Sequence, residues 1–127
     1  LAVKPTWNMG QLQVAGGIAA LDDHQHVSRT VSMIDEMRDY VAGRLGALNS
    51  FRMIAGSRSN FFLLEILDTT LDSTKVFNEL LERGVIVKDG SVSFHGLGHR
   101  YMRVDVSLRK HMDRLVEALA EIEPRAG

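Results

Sequence analysis

Apolar positions recur along this chain with two distinct periods. Val27, Val31, Ile34, Val41, Leu45 and Leu48 fall at intervals of three, four or seven, which puts them on one stripe of a helix and predicts a long helix from about Gln25 to Leu48. Arg29, Asp35, Glu36, Arg38, Asp39 and Arg44 fall on its other faces. Ahead of it, Met9 to Leu21 carries Leu12, Ala15, Ile18 and Ala19 at helical spacing. Thr6 or Asn8 is placed to cap this segment, and Asp22-Asp23 to reset the helix. Gly16-Gly17 inside it costs about 1 kcal/mol per glycine against alanine, and such small residues suit close approach by another element.

The strand signals come later. Phe51 to Ala55 is a candidate strand, and Gly56 to Asn60 a turn-rich link. Phe61 to Ile66 is apolar nearly throughout, as expected of a strand central in its sheet. Asp72 or Ser73 is placed to cap a helix running to Arg83, with Val76, Phe77, Leu80 and Leu81 inward and Gly84 just past its end. From Gly84 to Val106 the chain reads as strand, glycine-rich loop, strand: the first strand is the β-branched run Val85 to Val87, and Gly90, Gly96 and Gly98 punctuate the loop. Tyr101, Arg103 and Asp105 then alternate with Met102, Val104 and Val106, a period of two that separates two faces. Ser107 is placed to cap a last helix over Leu108 to Glu123, with Leu108, Met112, Leu115, Leu119 and Ile122 on one face. This order predicts an α+β fold: a small, mainly antiparallel sheet with helices packed on one face.

At 127 residues, the chain is one domain that buries roughly two-thirds of its unfolded surface. A net charge of −1 gives no basis for a nucleic-acid or anionic-membrane partner, and no apolar run reaches membrane-spanning length. The absence of cysteine removes disulfide, thiolate and zinc-thiolate chemistry and fits a reducing compartment. The chain opens on Leu1 and passes almost directly into a helical pattern, as a start inside a longer reading frame would; the alternative is a complete small protein whose initiator or tag was removed.

Complete catalytic constellations are absent. His24-x-His26 and His95-x-x-x-His99 have spacings that metals use, but solvated or internally satisfied histidines explain them better, and no metal site is expected. Ser107-x-x-Lys110 matches a nucleophile spacing, yet Ser107 reads better as a helix cap. Gly96-Leu-Gly98 is too short for a nucleotide fingerprint. Arg103 is the residue of interest. A guanidinium fixed mid-strand presents a rigid fork of donors suited to a two-point grip on a carboxylate; the alternative is a solvated arginine or one in a structural ion pair.

Several pieces, in order, resemble fold-type-I, pyridoxal-phosphate-dependent aminotransferases. Pro5-Thr6-Trp7-Asn8 with the alanine-rich helix after it resembles the link between the family's large and small domains. Ser57-Arg58-Ser59-Asn60-Phe61-Phe62-Leu63-Leu64 is similar to its S-x-x-N-F-hydrophobic strand. Leu81 to Asp89 resembles its L-x-x-x-G-(V/I)-x-V-(R/K) element, and Tyr101 to Val106 with the helix through Leu119 resembles its closing strand and helix. The likeness runs from about Pro5 to Ile122. Its nearest branches are histidinol-phosphate aminotransferase and threonine-phosphate decarboxylase. Ser93 to Gly98 with Arg100-Tyr101 looks more like the decarboxylase, and Ser107-Leu108 stands where the aminotransferases usually have Gly-Thr. Lys88 stands where the histidinol-phosphate branch commonly has arginine.

The resemblance implies a C-terminal small domain over residues 24–123, preceded by an interdomain linker and helix start at 1–23 and followed by a tail at 124–127. It assigns substrate-carboxylate binding to Arg103, a place near the substrate's anionic end to Lys88, and places at the domain junction to Trp7 and Asn8; packing is the other reading of Trp7. The implied cofactor is pyridoxal 5'-phosphate in the full-length enzyme, with none bound to this fragment, because the lysine that holds it belongs to an N-terminal large domain. An amino-acid or amino-phosphate substrate, a cytoplasmic homodimer, and a role in amino-acid biosynthesis (cobalamin biosynthesis for the decarboxylase branch) follow from the same likeness. The expectation from a different class is a free-standing α+β ligand-binding or regulatory module.

Overall fold

The structure, a computed structural model, describes residues 9–124. Five helices and four strands follow one another as α1 (Gln11–Asp22), α2 (His24–Leu45), β1 (Phe51–Met53), β2 (Phe61–Ile66), α3 (Ser73–Glu82), β3 (Lys88–Asp89), α4 (Gly90–Ser93), β4 (Tyr101–Asp105) and α5 (Arg109–Ile122). The chain divides into two compact units, Leu1–Ser32 and Met33–Gly127, with the division inside α2.

In the first unit, α1 is held at its start by Gly10, whose N–H donates to Gln13 Oε1 at 3.1 Å. The cap is therefore Gly10 and not Thr6 or Asn8; those two residues lie outside the described ones. Asp23 Oδ1 accepts the His26 N–H at 2.8 Å and starts α2, as the Asp22-Asp23 pair suggests. No residue of α1 is buried. Leu12, Ile18, Leu21 and, on α2, Val27 and Val31 are exposed, so only the later part of the expected stripe is inward. A methyl group added at Gly16 or Gly17 would meet nothing within 4 Å.

The second unit holds the antiparallel sheet, ordered β1-β2-β4-β3, so the most apolar strand, β2, is central as expected. The two-residue period of the strands decides what is buried. Phe62, Leu64 and Ile66 of β2 and Met102 and Val104 of β4 turn to one face, where they form a single core with Val41 and Leu45 of α2, Val76 and Leu80 of α3, and Met112, Leu115 and Leu119 of α5. Phe61, Leu63, Glu65, Tyr101 and Arg103 alternate onto the opposite, partly open face, with Asp105 at its exposed end.

Four local expectations are corrected. Val85–Val87 is not a strand: the Gly84 N–H bonds to Leu81 O and the Val85 N–H to Leu80 O, so this backbone closes the end of α3 with Gly84 at φ +75°, and pairing starts only at Lys88. Arg38 is buried rather than solvated; it donates to Ser59 O at 2.9 Å and pairs with Asp35. Ser107 does not cap α5, whose cap is Leu108; its hydroxyl meets His111 Nδ1 at 2.8 Å. Leu81 and Leu108 are exposed: Leu81 is one step off the buried stripe of α3, and Leu108 is the cap residue that precedes α5.

Candidate anion site on the open face of the sheet

Arg103 stands in the middle of β4, directly across from Leu63 on β2 and from Lys88 on β3. The pleat of the strand sends Met102 and Val104 into the core and Arg103 to the open face. Its guanidinium carbon lies 4.9 Å from the centre of the Phe61 ring and 5.8 Å from that of Phe94. Aromatic faces attract and orient a guanidinium. The side chain is 28% exposed, with Nη2 at 3.2 Å from Asp105 Oδ1. Arg103 Nε is buried and has no hydrogen-bond partner, an arrangement that costs about 1–3 kcal/mol if nothing ever satisfies it. Beside the guanidinium opens a cavity of about 470 Å³, walled by Phe61, Leu63, Phe94, His95, Gly96, Leu97 and Arg103.

Lys88 is the second cation. Direct cross-strand partners carry Cβ atoms about 4.5–5.5 Å apart, and like charges so placed repel. An anion between them relieves that repulsion and fills the donors, so the arrangement suits a carboxylate or a phosphate. Arg103 and Lys88 are thus brought together in space from positions fifteen apart in the chain. Trp7 and Asn8, the other two expected site residues, lie outside the described residues.

The loop over Arg103 is anchored from below by Asp89. Its carboxylate accepts from Ser73 Oγ at 2.6 Å, Thr74 Oγ1 at 2.8 Å, Ser91 N at 2.9 Å and Ser91 Oγ at 2.8 Å. Burial alone would raise its pKa, but the bonds from Ser73, Thr74 and Ser91 outweigh it and lower the carboxyl from 3.8 to about 2. One buried charge thereby ties the start of α3 to β3 and caps α4. Next to it Gly90 presses on β4. A Cβ there would run into the Tyr101 carbonyl, 2.9 Å from its carbon, with Leu97 Cδ2 at 3.1 Å. The sequence reading missed Asp89, and missed Phe61 and Phe94 as neighbours of Arg103; Asp105 is on the strand face that the alternation predicts. The Asp-Gly-Ser signature at 89–91 carries a turn-and-cap signal; the place of Phe61 follows only from strand register, and that of Phe94 from the path of the chain after α4.

Among the described residues, no group of three or more histidine, aspartate or glutamate side chains is placed to hold a metal, which leaves His24, His26, His95 and His99 without a shared centre. The Ser107–His111 pair lines a separate cavity of about 320 Å³ with Val85, Asp105 and Arg114. No helix among the described residues is long and apolar enough to cross a membrane.

A small antiparallel sheet with helices on one face has counterparts among solved structures. The chain superposes on histidinol-phosphate aminotransferase from Clostridium acetobutylicum with a TM-score of 0.81 at 19% identity, over 96% of this chain and 36% of that one. It superposes on L-threonine-O-3-phosphate decarboxylase from Porphyromonas gingivalis with a TM-score of 0.61 at 20% identity, over 69% of this chain and 26% of that one. At these identities the likeness establishes the fold. In sequence, the histidinol-phosphate aminotransferase of Methanocella arvoryzae (strain DSM 22066 / NBRC 105507 / MRE50) is 33% identical over 123 residues, which is 97% of this chain and 32% of the relative. No family model matches. The chain spans about a third of the length of the curated relatives it matches, and it fits a fragment of the histidinol-phosphate aminotransferase family.

Proposed function

We propose that the chain is the C-terminal small domain of a pyridoxal-phosphate-dependent aminotransferase of the histidinol-phosphate aminotransferase type, and that Arg103, with Lys88 beside it, grips an anionic group of the amino-acid or amino-phosphate substrate. The observation that carries this reading is the cation pair on the open sheet face, with Arg103 over the Phe61 and Phe94 rings and its Nε unpartnered. The remaining two-thirds of the parent is a larger N-terminal domain that holds the cofactor. Pyridoxal phosphate supplies an electron sink for the amino-group transfer. This chain's share is to bind and orient the substrate's anion and to wall the cleft.

The described lysines Lys75, Lys88 and Lys110 are all exposed, unlike a reactive lysine kept in a desolvated pocket; this supports the reading that the cofactor's lysine lies in the large domain and that the fragment alone is inactive and binds no cofactor. The exposed apolar residues of α1 (Leu12, Ile18 and Leu21 among them) suit contact with the large domain, and Trp7 and Asn8 are assigned to that junction. A cytoplasmic homodimer is the assembly this reading implies, and amino-acid biosynthesis its setting.

A second reading, a threonine-phosphate decarboxylase of cobalamin biosynthesis, has the superposition on the Porphyromonas gingivalis enzyme in its favour. The parent, expressed from its full coding region and supplied with pyridoxal phosphate, separates the two. Transfer of the amino group of histidinol phosphate supports the aminotransferase, and release of carbon dioxide from threonine phosphate supports the decarboxylase. A parent that shows neither of these activities would overturn the assignment.

A further inference from the structure

We propose that Asp105 is a resident carboxylate for Arg103, one that occupies the guanidinium when no ligand anion is bound and so sets how tightly the site takes a carboxylate. The inference rests on the reading of Arg103 as an anion fork. Asp105 lies two residues along β4 on the same face, and its Oδ1 is 3.2 Å from Arg103 Nη2. Its direct cross-strand partner is Phe61, an apolar ring that offers it no donor, and its side chain is 62% exposed. It is therefore free to swing away into water.

A guanidinium has two ways to grip a carboxylate at two points: side-on through Nε and Nη2, or end-on through Nη1 and Nη2. Both use Nη2, the atom that Asp105 meets, so every two-point ligand displaces or shares with Asp105. The resident contact is itself incomplete, since the adjacent Nε is left without a partner. An incoming carboxylate that takes both atoms makes the better pair, while Asp105, once released, still repels it from close by. Asp105 thus weakens every carboxylate complex of Arg103 without abolishing any, and the cost is greatest for ligands that bring no second anionic group for Lys88.

The test uses glutarate as probe and the 127-residue chain as protein, with binding followed by the amide resonances of β2 and β4. Asp105→Asn keeps the shape of the side chain and removes its charge. A solvent-accessible ion pair is a weak one, so glutarate should bind about two- to fivefold tighter to Asp105→Asn than to the unaltered chain. The gain should vanish when Arg103→Gln is added, and the melting temperature of Asp105→Asn should stay within a degree or two. Glutarate binding that is unchanged or weaker in Asp105→Asn would overturn this inference and leave Arg103 standing as the anion fork. Absence of any glutarate response in the unaltered chain and in Asp105→Asn alike would overturn the fork itself, and the role of Asp105 with it.

Discussion

Two rows of side chains cross the open face of the same sheet, and they are built differently. In one, Arg52, Glu65 and Tyr101 stand in register across β1, β2 and β4. Glu65 accepts from Arg52 Nε at 2.9 Å and from the Tyr101 hydroxyl at 3.3 Å, so the row is closed on itself. In the other, Leu63, Arg103 and Lys88 stand in register across β2, β4 and β3. That row holds two cations side by side, one apolar residue, one unpartnered buried nitrogen and a single carboxylate from the next position along. The first row is what a solvated sheet face needs for stability. The second is poorer for stability and better for taking up an anion. A row that has partners to spare is structural; a row that lacks them is where a ligand belongs.

The sharpest way to break the comparison is to collapse the support under the second row. Gly90→Ala places a methyl against the Tyr101 backbone, which cannot move without disturbing β4. A loss of about 3 kcal/mol in denaturant unfolding is expected, at the upper end of overpacking costs. The acid limb of stability tests the same support more gently. Asp89 binds its proton near pH 2 when folded and near 3.8 when unfolded. Its contribution is therefore complete above about pH 4 and is lost as pH falls from 4 towards 2, because the unfolded chain takes up the proton first. The loss amounts to about 2 kcal/mol at full protonation, and Asp89→Asn should flatten this limb in a urea titration repeated at each pH.

Smaller effects separate the rows themselves. Glu65→Gln should cost about 1 kcal/mol, since it opens a closed polar row. Lys88→Gln should do the reverse and stabilise by about 0.5 kcal/mol, because it removes a like-charge cross-strand pair. Thermal melts at low salt would read both, and equal signs for the two variants would erase the distinction between the rows.

The sequence made one row legible and hid the other's surroundings. Alternation from Tyr101 to Val106 is enough to put Arg103 on the face away from Met102 and Val104, because the two-residue period is a property of the strand alone. The same holds for the buried side of β2. What alternation does not carry is register. That Lys88 lies opposite Arg103 and that Phe61 falls beside it depend on strand pairings, and the approach of the Phe94 ring depends on the path of the chain after α4. Val85–Val87 misled for a related reason: β-branched residues favour strands, but here the closing hydrogen bonds of α3 claim that backbone first. Arg38 looked like a surface charge because one of its partners, Ser59 O, comes from another part of the chain.

The central claim is that Arg103 is poised for a ligand rather than serving the fold, and Arg103→Ala measured on two scales tests it most directly. On the first, unfolding of this chain should change by about 1 kcal/mol, the worth of a half-buried guanidinium–ring contact. On the second, the parent's kcat/KM should fall by roughly 100-fold, the loss of a charge-assisted two-point grip worth about 3 kcal/mol, with Arg103→Lys recovering only part of it because the fork is gone. A destabilisation of about 3–5 kcal/mol, the signature of a broken buried ion pair, with kcat/KM unchanged would contradict the account and make Arg103 a structural arginine.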